Sequence, residues 1–257
     1  MRRTRISYGP HRSQVGDLWV PADVAGDLPI VVLIHGGFWR AQYTRALMTR
    51  MARAVVQKGW AAWNIEYRRI GFLGGDGGWP QTFEDVAAAV DHVASFPGID
   101  VDRVVTCGHS AGGTLALWAA GRHRLPDDAP GSSVTVAVRG ALSLSGISDL
   151  AAALASGVGG DAVGRLLLTG RCSTPERLCK ASPVALLPLG VPQTLFHGLR
   201  DTVVPPSMSE RYVARARETG DDALYVPLPG IGHREMIDPR GTVWDAVAAH
   251  LGAVLVD

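Results

Sequence analysis

The residues best suited to chemistry lie at positions 108–112, which read Gly-His-Ser-Ala-Gly. An apolar run precedes this motif and a run of small residues follows it, so the pattern predicts a strand, a sharp turn and a helix. Glycine two positions before and two positions after Ser110 permits a tight, strained bend. Such a bend presents the hydroxyl at a helix N-terminus, where a serine can act as a nucleophile. The same pattern also fits a glycine-rich turn without chemistry, so other parts of the sequence must distinguish the two.

Two further side chains of suitable type follow in the order acid, then base. Asp201 comes just after the apolar run 191–196, in a loop at the carboxyl end of a predicted strand, where open α/β sheets collect functional side chains. His233 lies in a glycine-rich loop after the short predicted strand 223–226, where an imidazole can serve as general base. A carboxylate can orient such a histidine and stabilise its protonated form. Asp149, which also follows a predicted strand, is the main alternative to Asp201.

Main-chain donors are expected beside these side chains. Residues 35–39 read His-Gly-Gly-Phe-Trp and end the apolar run 30–34, which predicts a buried parallel strand. The oxyanion that forms during acyl transfer is stabilised by preorganised N–H groups. We predict that the amides of Gly37, Phe38 and Ala111 form this oxyanion hole.

Other polar and aromatic side chains near the motifs receive structural interpretations. His35 and His197 end strands and are expected to tie down loops, whereas the ring of His109 is expected to point away from the site. Glu66 is interpreted as an ion-pair partner of the adjacent Arg68 and Arg69. Four aromatic residues are candidate pocket walls: Phe38, Trp39, Phe72 and Trp79.

The chain order of Ser110, Asp201 and His233 is the nucleophile, acid and base order of the α/β-hydrolases. The motifs at 35–39 and 108–113 resemble those of hormone-sensitive-lipase-like serine esterases and, more closely, those of the kynurenine formamidase (arylformamidase)-like branch. The resemblance implies a serine hydrolase that cleaves small carboxylic esters or aryl formamides through an acyl-enzyme, without metal or organic cofactor. Phe38 stands where the hormone-sensitive-lipase pattern has a third glycine, and this difference favours the formamidase-like branch.

Two other functions could use the same residues. A serine peptidase of the prolyl-oligopeptidase type shares the bend and the three side chains, but such enzymes carry an additional large domain, for which this chain has no room. A non-catalytic binding protein with a hydrolase fold commonly lacks one of the three residues, and all three are present here. We therefore expect an enzyme.

Length and composition limit the fold and the partners. The 257 residues and a hydrophobic content of 47% suit a single α/β domain. The formal net charge of +1 argues against a nucleic-acid partner or a strongly charged membrane surface, so the expected partner is the small-molecule ester or amide substrate that the hydrolase resemblance implies. No secretory signal or span of about 18 apolar residues is visible, so a soluble, cytoplasmic protein is expected. The oligomeric state is left open.

Three cysteines are present. Cys107 is expected to be a buried free thiol in the strand before the bend. Cys172 and Cys179 are not expected to form a structural disulfide in a reducing compartment.

The elements that must position the motifs follow from the alternation of apolar runs with helical periodicity. Strands are predicted at 30–34, 60–67, 101–107, 134–143, 191–196 and 223–226, and helices at 44–58, 82–96, 209–218 and 242–254. Thr82 and Asp85 have the spacing of a capping box at the start of the second helix. The expected fold is an α/β-hydrolase fold with a mainly parallel, doubly wound sheet, helices on both faces and a cap-like insertion at about 147–189.

Overall fold

The computed structural model describes residues 1–22, 26–71, 76–167 and 175–256. Phe72 and Cys172 lie outside these ranges, so the proposed pocket wall at Phe72 and the expectation about Cys172 and Cys179 stay predictions. Cys107 is buried, as expected.

The strands of the described residues form one sheet. In chain order they are β1 (Arg2–Ser7), β2 (Val15–Val20), β3 (Leu28–Ile34), β4 (Ala61–Ile65), β5 (Ile99–His109), β6 (Gly140–Leu144), β7 (Gln193–Gly198) and β8 (Ala223–Leu228). Their spatial order is β1-β2-β4-β3-β5-β6-β7-β8. Strands β1 and β2 pair antiparallel with each other, and β2 pairs antiparallel with β4. All pairings from β4 to β8 are parallel, which confirms the mainly parallel sheet.

Helices cover both faces of this sheet. In chain order they are α1 (Thr49–Gln57), α2 (Gln81–Asp91), α3 (Ala111–Gly121), α4 (Leu150–Ser156), α5 (Ala162–Leu167), α6 (Pro175–Ala181), α7 (Ser207–Glu218) and α8 (Thr242–Val256). Short 3₁₀ segments occupy Arg45–Met48, His92–Ser95, Arg122–Arg124, Pro183–Leu186 and Glu235–Ile237.

Alternation along the strands divides the apolar core into two clusters. In β3, Ile30 and Val32 belong to the cluster that includes the buried residues of α2 and α3. Val31 and Leu33 point to the opposite face and belong to the cluster of α1 and α8. Because successive side chains of a strand face opposite ways, a strand that is buried on both sides has to be apolar throughout, as the sequence of β3 is.

Helix α3 carries the serine motif into the centre of the molecule. Every one of its residues is buried. A helix that is apolar all round needs cover on every side. Part of this cover comes from α6, where the carbonyl of Lys180 accepts a hydrogen bond of 2.9 Å from the indole N–H of Trp118. The single-domain assignment and its cap-like insertion stay predictions.

The start of α2 differs from the prediction. The helix begins at Gln81, so Thr82 lies inside it, and the Thr82 hydroxyl donates to the carbonyl of Arg68 at 2.7 Å. Asp85 is fully buried and accepts from the Arg68 guanidinium at 2.7 Å. The predicted capping box is therefore wrong: Pro80 is the N-cap and has no side-chain cap, Asp85 bonds to Arg68, and the Thr82 hydroxyl bonds to the Arg68 carbonyl and accepts from the Gly78 N–H at 2.9 Å.

Strand β6 is shorter than predicted, since residues 134–139 are not part of it. The Asp91 carboxylate accepts hydrogen bonds from the main-chain N–H groups of Thr135 and Val136 at 3.0 and 2.9 Å. A side chain thus satisfies donors that a strand would have paired with its neighbour. Within the described ranges, no helix has the length and apolar character required to span a bilayer.

Candidate active site

Ser110 occupies the apex of the turn between β5 and α3. Its φ of 54° and ψ of −123° lie in a region that side-chain-bearing residues rarely adopt. The turn is held because the Ser110 N–H donates to the carbonyl of Leu144 at 2.8 Å and the Ser110 carbonyl accepts the first helical bond from Gly113. Such strain costs about 1–3 kcal/mol and persists only where the surrounding structure fixes it.

The glycines of the motif are required by close packing around this apex. A Cβ atom on Gly108 would collide with the carbonyl of Gly112, and one on Gly112 would collide with the carbonyl of Ile34. One on Gly113 would lie 2.5 Å from the hydroxyl of Ser143. The strained backbone therefore belongs to Ser110 itself, while the glycines let three main-chain segments meet beside it.

Asp201 and His233 come from loops at the carboxyl ends of β7 and β8. The Nδ1 of His233 lies 2.6 Å from Oδ2 of Asp201. The other carboxylate oxygen of Asp201 accepts from the N–H groups of Val203 and Val204 at 2.8 and 2.9 Å. Burial by itself would raise the pKa of Asp201, but hydrogen bonds from His197, His233 and Val204 outweigh it and hold that pKa well below its usual range. The carboxylate is therefore ionised at neutral pH.

A second histidine contacts the same carboxylate. His197 Nε2 lies 3.3 Å from Oδ2 of Asp201 and also donates to the carbonyl of Val204 at 2.9 Å. Its Nδ1 bonds to the hydroxyl of Ser209 at 2.7 Å. His197 thus links the Asp201 loop to α7, in keeping with the expected loop-anchoring role.

The segment after β3 carries main-chain amides without a hydrogen-bond acceptor among the described residues, and Gly37 and Phe38 line the same pocket as Ser110. Gly37, Phe38 and Trp39 have φ values of 109°, 50° and 55°. For the part of the chain that the structure describes, no hydrogen bond originates from the N–H groups of Gly37, Phe38 or Ala111. His35 Nδ1 donates to the Gly36 carbonyl at 2.8 Å. Because that carbonyl and the Gly37 N–H belong to one trans peptide, the hydrogen bond also fixes the direction of the N–H group.

The buried carboxylate of Glu66 holds the ring of His35 in place. This carboxylate lies 2.7 Å from His35 Nε2, 3.3 Å from the Arg69 guanidinium and 3.1 Å from the Arg45 N–H. Burial would raise the pKa of Glu66, but the hydrogen bond and charge of His35, together with Arg69 and Arg45, lower it below its usual value. The predicted ion pair with Arg69 is present. The predicted pair with Arg68 is not, because that guanidinium bonds to Asp85.

The alternative acid is engaged elsewhere. Oδ1 of Asp149 accepts from the N–H of Ala152 at 2.9 Å and caps the N-terminus of α4. A capping carboxylate of this kind stabilises a helix by about 1 kcal/mol.

A pocket of about 380 Å³ opens at the serine and is lined by Ser110, His233, Gly37 and Phe38 from the predicted set. Two of the candidate walls, Trp39 and Trp79, are instead buried in the core, where Trp79 packs against Phe83 with ring centres 5.1 Å apart. The other lining residues, which the sequence interpretation missed, are Tyr43, Leu47, His109, Val203, Arg234 and Ile237. Most of them lie within a few positions of a motif residue, and this proximity in sequence could have identified them as lining residues.

The ring of His109 does not point away from the site. It lines the pocket, and its Nε2 lies 2.8 Å from the main-chain oxygen of His233. The strand end directs the side chain of the residue before the serine toward the His233 loop, which the sequence alone could not place.

Comparison with known proteins gives a family match and several relatives. Residues 17–215 match the family model described as BD-FAE, which is more than half of the chain. Esterase LipC of Mycobacterium tuberculosis is 28% identical over 250 residues, which cover 91% of this chain and 60% of LipC. The kynurenine formamidase of Salmo salar is 29% identical over 145 residues, which cover 56% of this chain and 46% of that enzyme. The chain thus spans 60% or less of the length of these two relatives.

Solved structures share the fold at lower identity. A truncated form of a carbohydrate esterase from gut microbiota superposes with a TM-score of 0.82 at 19% identity. The match covers 99% of this chain and 97% of that one. At this identity the likeness establishes the architecture alone.

Proposed function

This chain belongs to the BD-FAE family of α/β-hydrolases, and we propose that it is a serine hydrolase that cleaves small carboxylic esters or aryl formamides through an acyl-enzyme. One observation carries the proposal. Ser110, at a strained apex, shares a pocket with His233, whose Nδ1 lies 2.6 Å from the buried carboxylate of Asp201. Relatives named as esterases and formamidases support the reaction class.

The tautomer of His233 suits a general base. Because Asp201 is ionised and can only accept, Nδ1 of His233 carries a proton and donates it to the carboxylate. In the neutral ring, Nε2 then carries a lone pair, which is the form that can take a proton from the serine hydroxyl.

The proposed reaction has two halves. The Ser110 oxygen bonds to the substrate carbonyl carbon while its proton passes to Nε2 of His233, and the amides of Gly37, Phe38 and Ala111 bind the oxyanion. His233 then gives that proton to the leaving alcohol or amine as the C–O or C–N bond breaks. Water attacks the acyl-enzyme, its proton passes through His233 back to Ser110, and the acid is released.

The pocket limits the substrate that we propose. A volume of about 380 Å³ lies at the small end of ligand pockets, which range over about 300–1,000 Å³. Phe38, Leu47, Val203 and Ile237 contribute apolar side chains to its lining, which suits a short acyl group or an aryl ring. Which relative's activity applies, esterase or formamidase, is a matter for the experiment, and the cytoplasmic location stays a prediction.

A fluorophosphonate probe and p-nitrophenyl acetate test the proposal. We expect the wild-type protein to be labelled and to release p-nitrophenol, and Ser110→Ala to do neither. Ser145→Ala is the matched control, because Ser145 is also buried with a positive φ, of 51°, yet does not line the pocket. That variant is expected to label like the wild type.

The other outcomes distinguish the alternatives. A folded wild-type protein that resists labelling favours a binding protein. Cleavage of peptide amides without cleavage of esters favours a peptidase. Release of formate from N-formylkynurenine at a rate above that of ester cleavage would assign the formamidase activity.

A further inference from the structure

His109 is a buried titratable residue inside the pocket that the proposed reaction does not use. Its side chain is 6% exposed, and it directly precedes Ser110 at the end of β5. The ring centres of His109 and His233 lie 4.7 Å apart with the rings tilted by 47°. The two histidines are therefore in contact within the lining of the same pocket.

The hydrogen bond of His109 identifies its tautomer. Nε2 lies 2.8 Å from the main-chain oxygen of His233, and a carbonyl oxygen can only accept. Nε2 therefore carries the proton, and a neutral ring leaves Nδ1 unprotonated. Burial, followed by the charge of His233, lowers the pKa of His109 to about 3, while the carbonyl bond and Asp201 act in the opposite direction. The ring is neutral at any pH at which the enzyme would work.

The same ring also lies against the segment that leads to the predicted oxyanion hole. A Cβ atom on Gly36 would lie 2.6 Å from the carbonyl oxygen of His109 and 3.2 Å from its Nδ1. Glycine at position 36 thus lets His109 approach that segment. His109 thus precedes Ser110 in the chain, its ring donates a hydrogen bond to the main chain of His233, and it packs against the segment that leads to the predicted oxyanion hole.

We propose that His109 is a positioning residue: its Nε2–H holds the main chain of His233 so that the imidazole stays in register with Ser110. The inference rests on the proposed hydrolase function and adds a residue to it. A hydrogen bond to the main chain leaves the His233 ring free to exchange its proton. An uncharged neighbour also avoids opposing the positive charge that forms on His233 in each half of the reaction. The charged or titratable groups around His109 are His233, Asp201 and His197.

Replacement of the donor tests the inference. His109→Leu keeps an apolar bulk and removes the N–H group, whereas His109→Gln keeps an N–H donor of similar reach. Misplacement of a catalytic group by about 1 Å can cost about 100-fold in rate. We expect His109→Leu to lower kcat on p-nitrophenyl acetate by about 10- to 100-fold, with KM within about threefold of wild type. His109→Gln should recover kcat to within about threefold of wild type.

The rate of fluorophosphonate labelling provides a second readout, which should fall in parallel with kcat in His109→Leu. His250→Leu is the control, because His250 is a partly buried histidine on α8 that bonds to the carbonyl of Ala246 and does not line the pocket. Its kcat is expected to match that of wild type. Thermal unfolding is recorded for every variant, and His109→Met replaces His109→Leu if the latter does not fold.

Two results would overturn the inference. The first is an unchanged kcat in folded His109→Leu or His109→Met. The second is an equal loss in His109→Gln, which would show that the imidazole rather than its N–H group is needed. A wild-type protein that neither labels nor turns over ester or formamide refutes the proposed function and this inference with it.

Discussion

Asp201 is a carboxylate that stays charged although it is buried in the site. It is 8% exposed, and its two oxygens receive hydrogen bonds from the His233 ring and from two main-chain N–H groups. These donors keep the carboxylate charged despite its burial. A charged, fixed acceptor is what a histidine needs in order to hold one tautomer and to become protonated during a reaction.

Replacement of the charge at this position is expected to stop turnover without unfolding the protein. In Asp201→Asn the side chain keeps its shape but no longer stabilises a positive His233, so we expect kcat to fall by about 10³- to 10⁴-fold. Ester hydrolysis and thermal unfolding together measure the effect. Asp149→Asn is the control, because asparagine also caps helices well, and its activity should stay within twofold of wild type. Activity lost in Asp149→Asn and kept in Asp201→Asn would reverse the assignment of the acid.

The neutral state of His109 predicts a pH dependence of stability. An unfolded histidine has a pKa of about 6.5, whereas in the folded protein the pKa is about 3. Below pH 6.5 the unfolded state therefore binds a proton that the native state does not, and stability is lost as the pH falls. Between pH 6 and 4.5 this residue should account for about 2 kcal/mol, and the comparison with His109→Gln removes the contribution of the carboxyl groups that both proteins share. Urea unfolding at the two pH values should show a loss smaller by that amount in His109→Gln, and equal losses would contradict a neutral ring.

At the scale of elements, strands and helices could be predicted where one pattern dominated. The strand–turn–helix around Ser110 was predictable because an apolar run, paired glycines and a run of small residues agree with one another. The start of α2 could not be predicted, since Thr82 and Asp85 bond to Arg68, which no local pattern reveals. Residues 134–139 failed as a strand for a similar reason, because a carboxylate at Asp91 takes the N–H groups of that segment.

The turn itself makes a steric prediction. In Gly112→Ala the new methyl group would overlap the carbonyls of Ile34 and His35, neither of which can move without shifting β3. We expect a loss of about 1–3 kcal/mol or more in the free energy of unfolding, together with loss of activity. In the control, Gly252→Ala, the methyl group meets nothing closer than the Trp60 ring at 3.5 Å, and alanine should stabilise α8 by about 0.5–1 kcal/mol. Equal effects of the two changes on urea unfolding would show that the turn is not close-packed.

At the scale of the whole molecule, the parallel sheet brings distant parts of the chain to one edge. The loops after β3, β5, β7 and β8 meet there. Residue type and chain order therefore sufficed to identify Ser110, Asp201 and His233 as candidate site residues. The pocket walls could not be nominated in the same way. Tyr43 and Ile237 reach the pocket because of how their loops fold back, while Trp39, beside the motif, turns into the core.

The reactivity of Cys107 measures whether the centre of the sheet opens only when the whole protein unfolds. It lies in β5 between β3 and β6, it is fully buried, and burial raises the pKa of its thiol to about 12. A thiol in a central strand can react only when the sheet opens, and the thiolate is the reactive form. In a Cys172→Ser, Cys179→Ser background, we therefore expect alkylation by iodoacetamide to be slow. Its rate should rise with urea with the same slope as global unfolding measured by circular dichroism.

The control keeps Cys179, which is exposed and should react at the rate of a free thiol in the folded protein. A shallow urea dependence at Cys107 would mean that the centre of the sheet opens by a local fluctuation. In that case β5, which carries Ser110, would not be rigid enough for a preorganised site. A strained turn persists only where the surrounding structure holds it, and a strand that opens locally cannot do so.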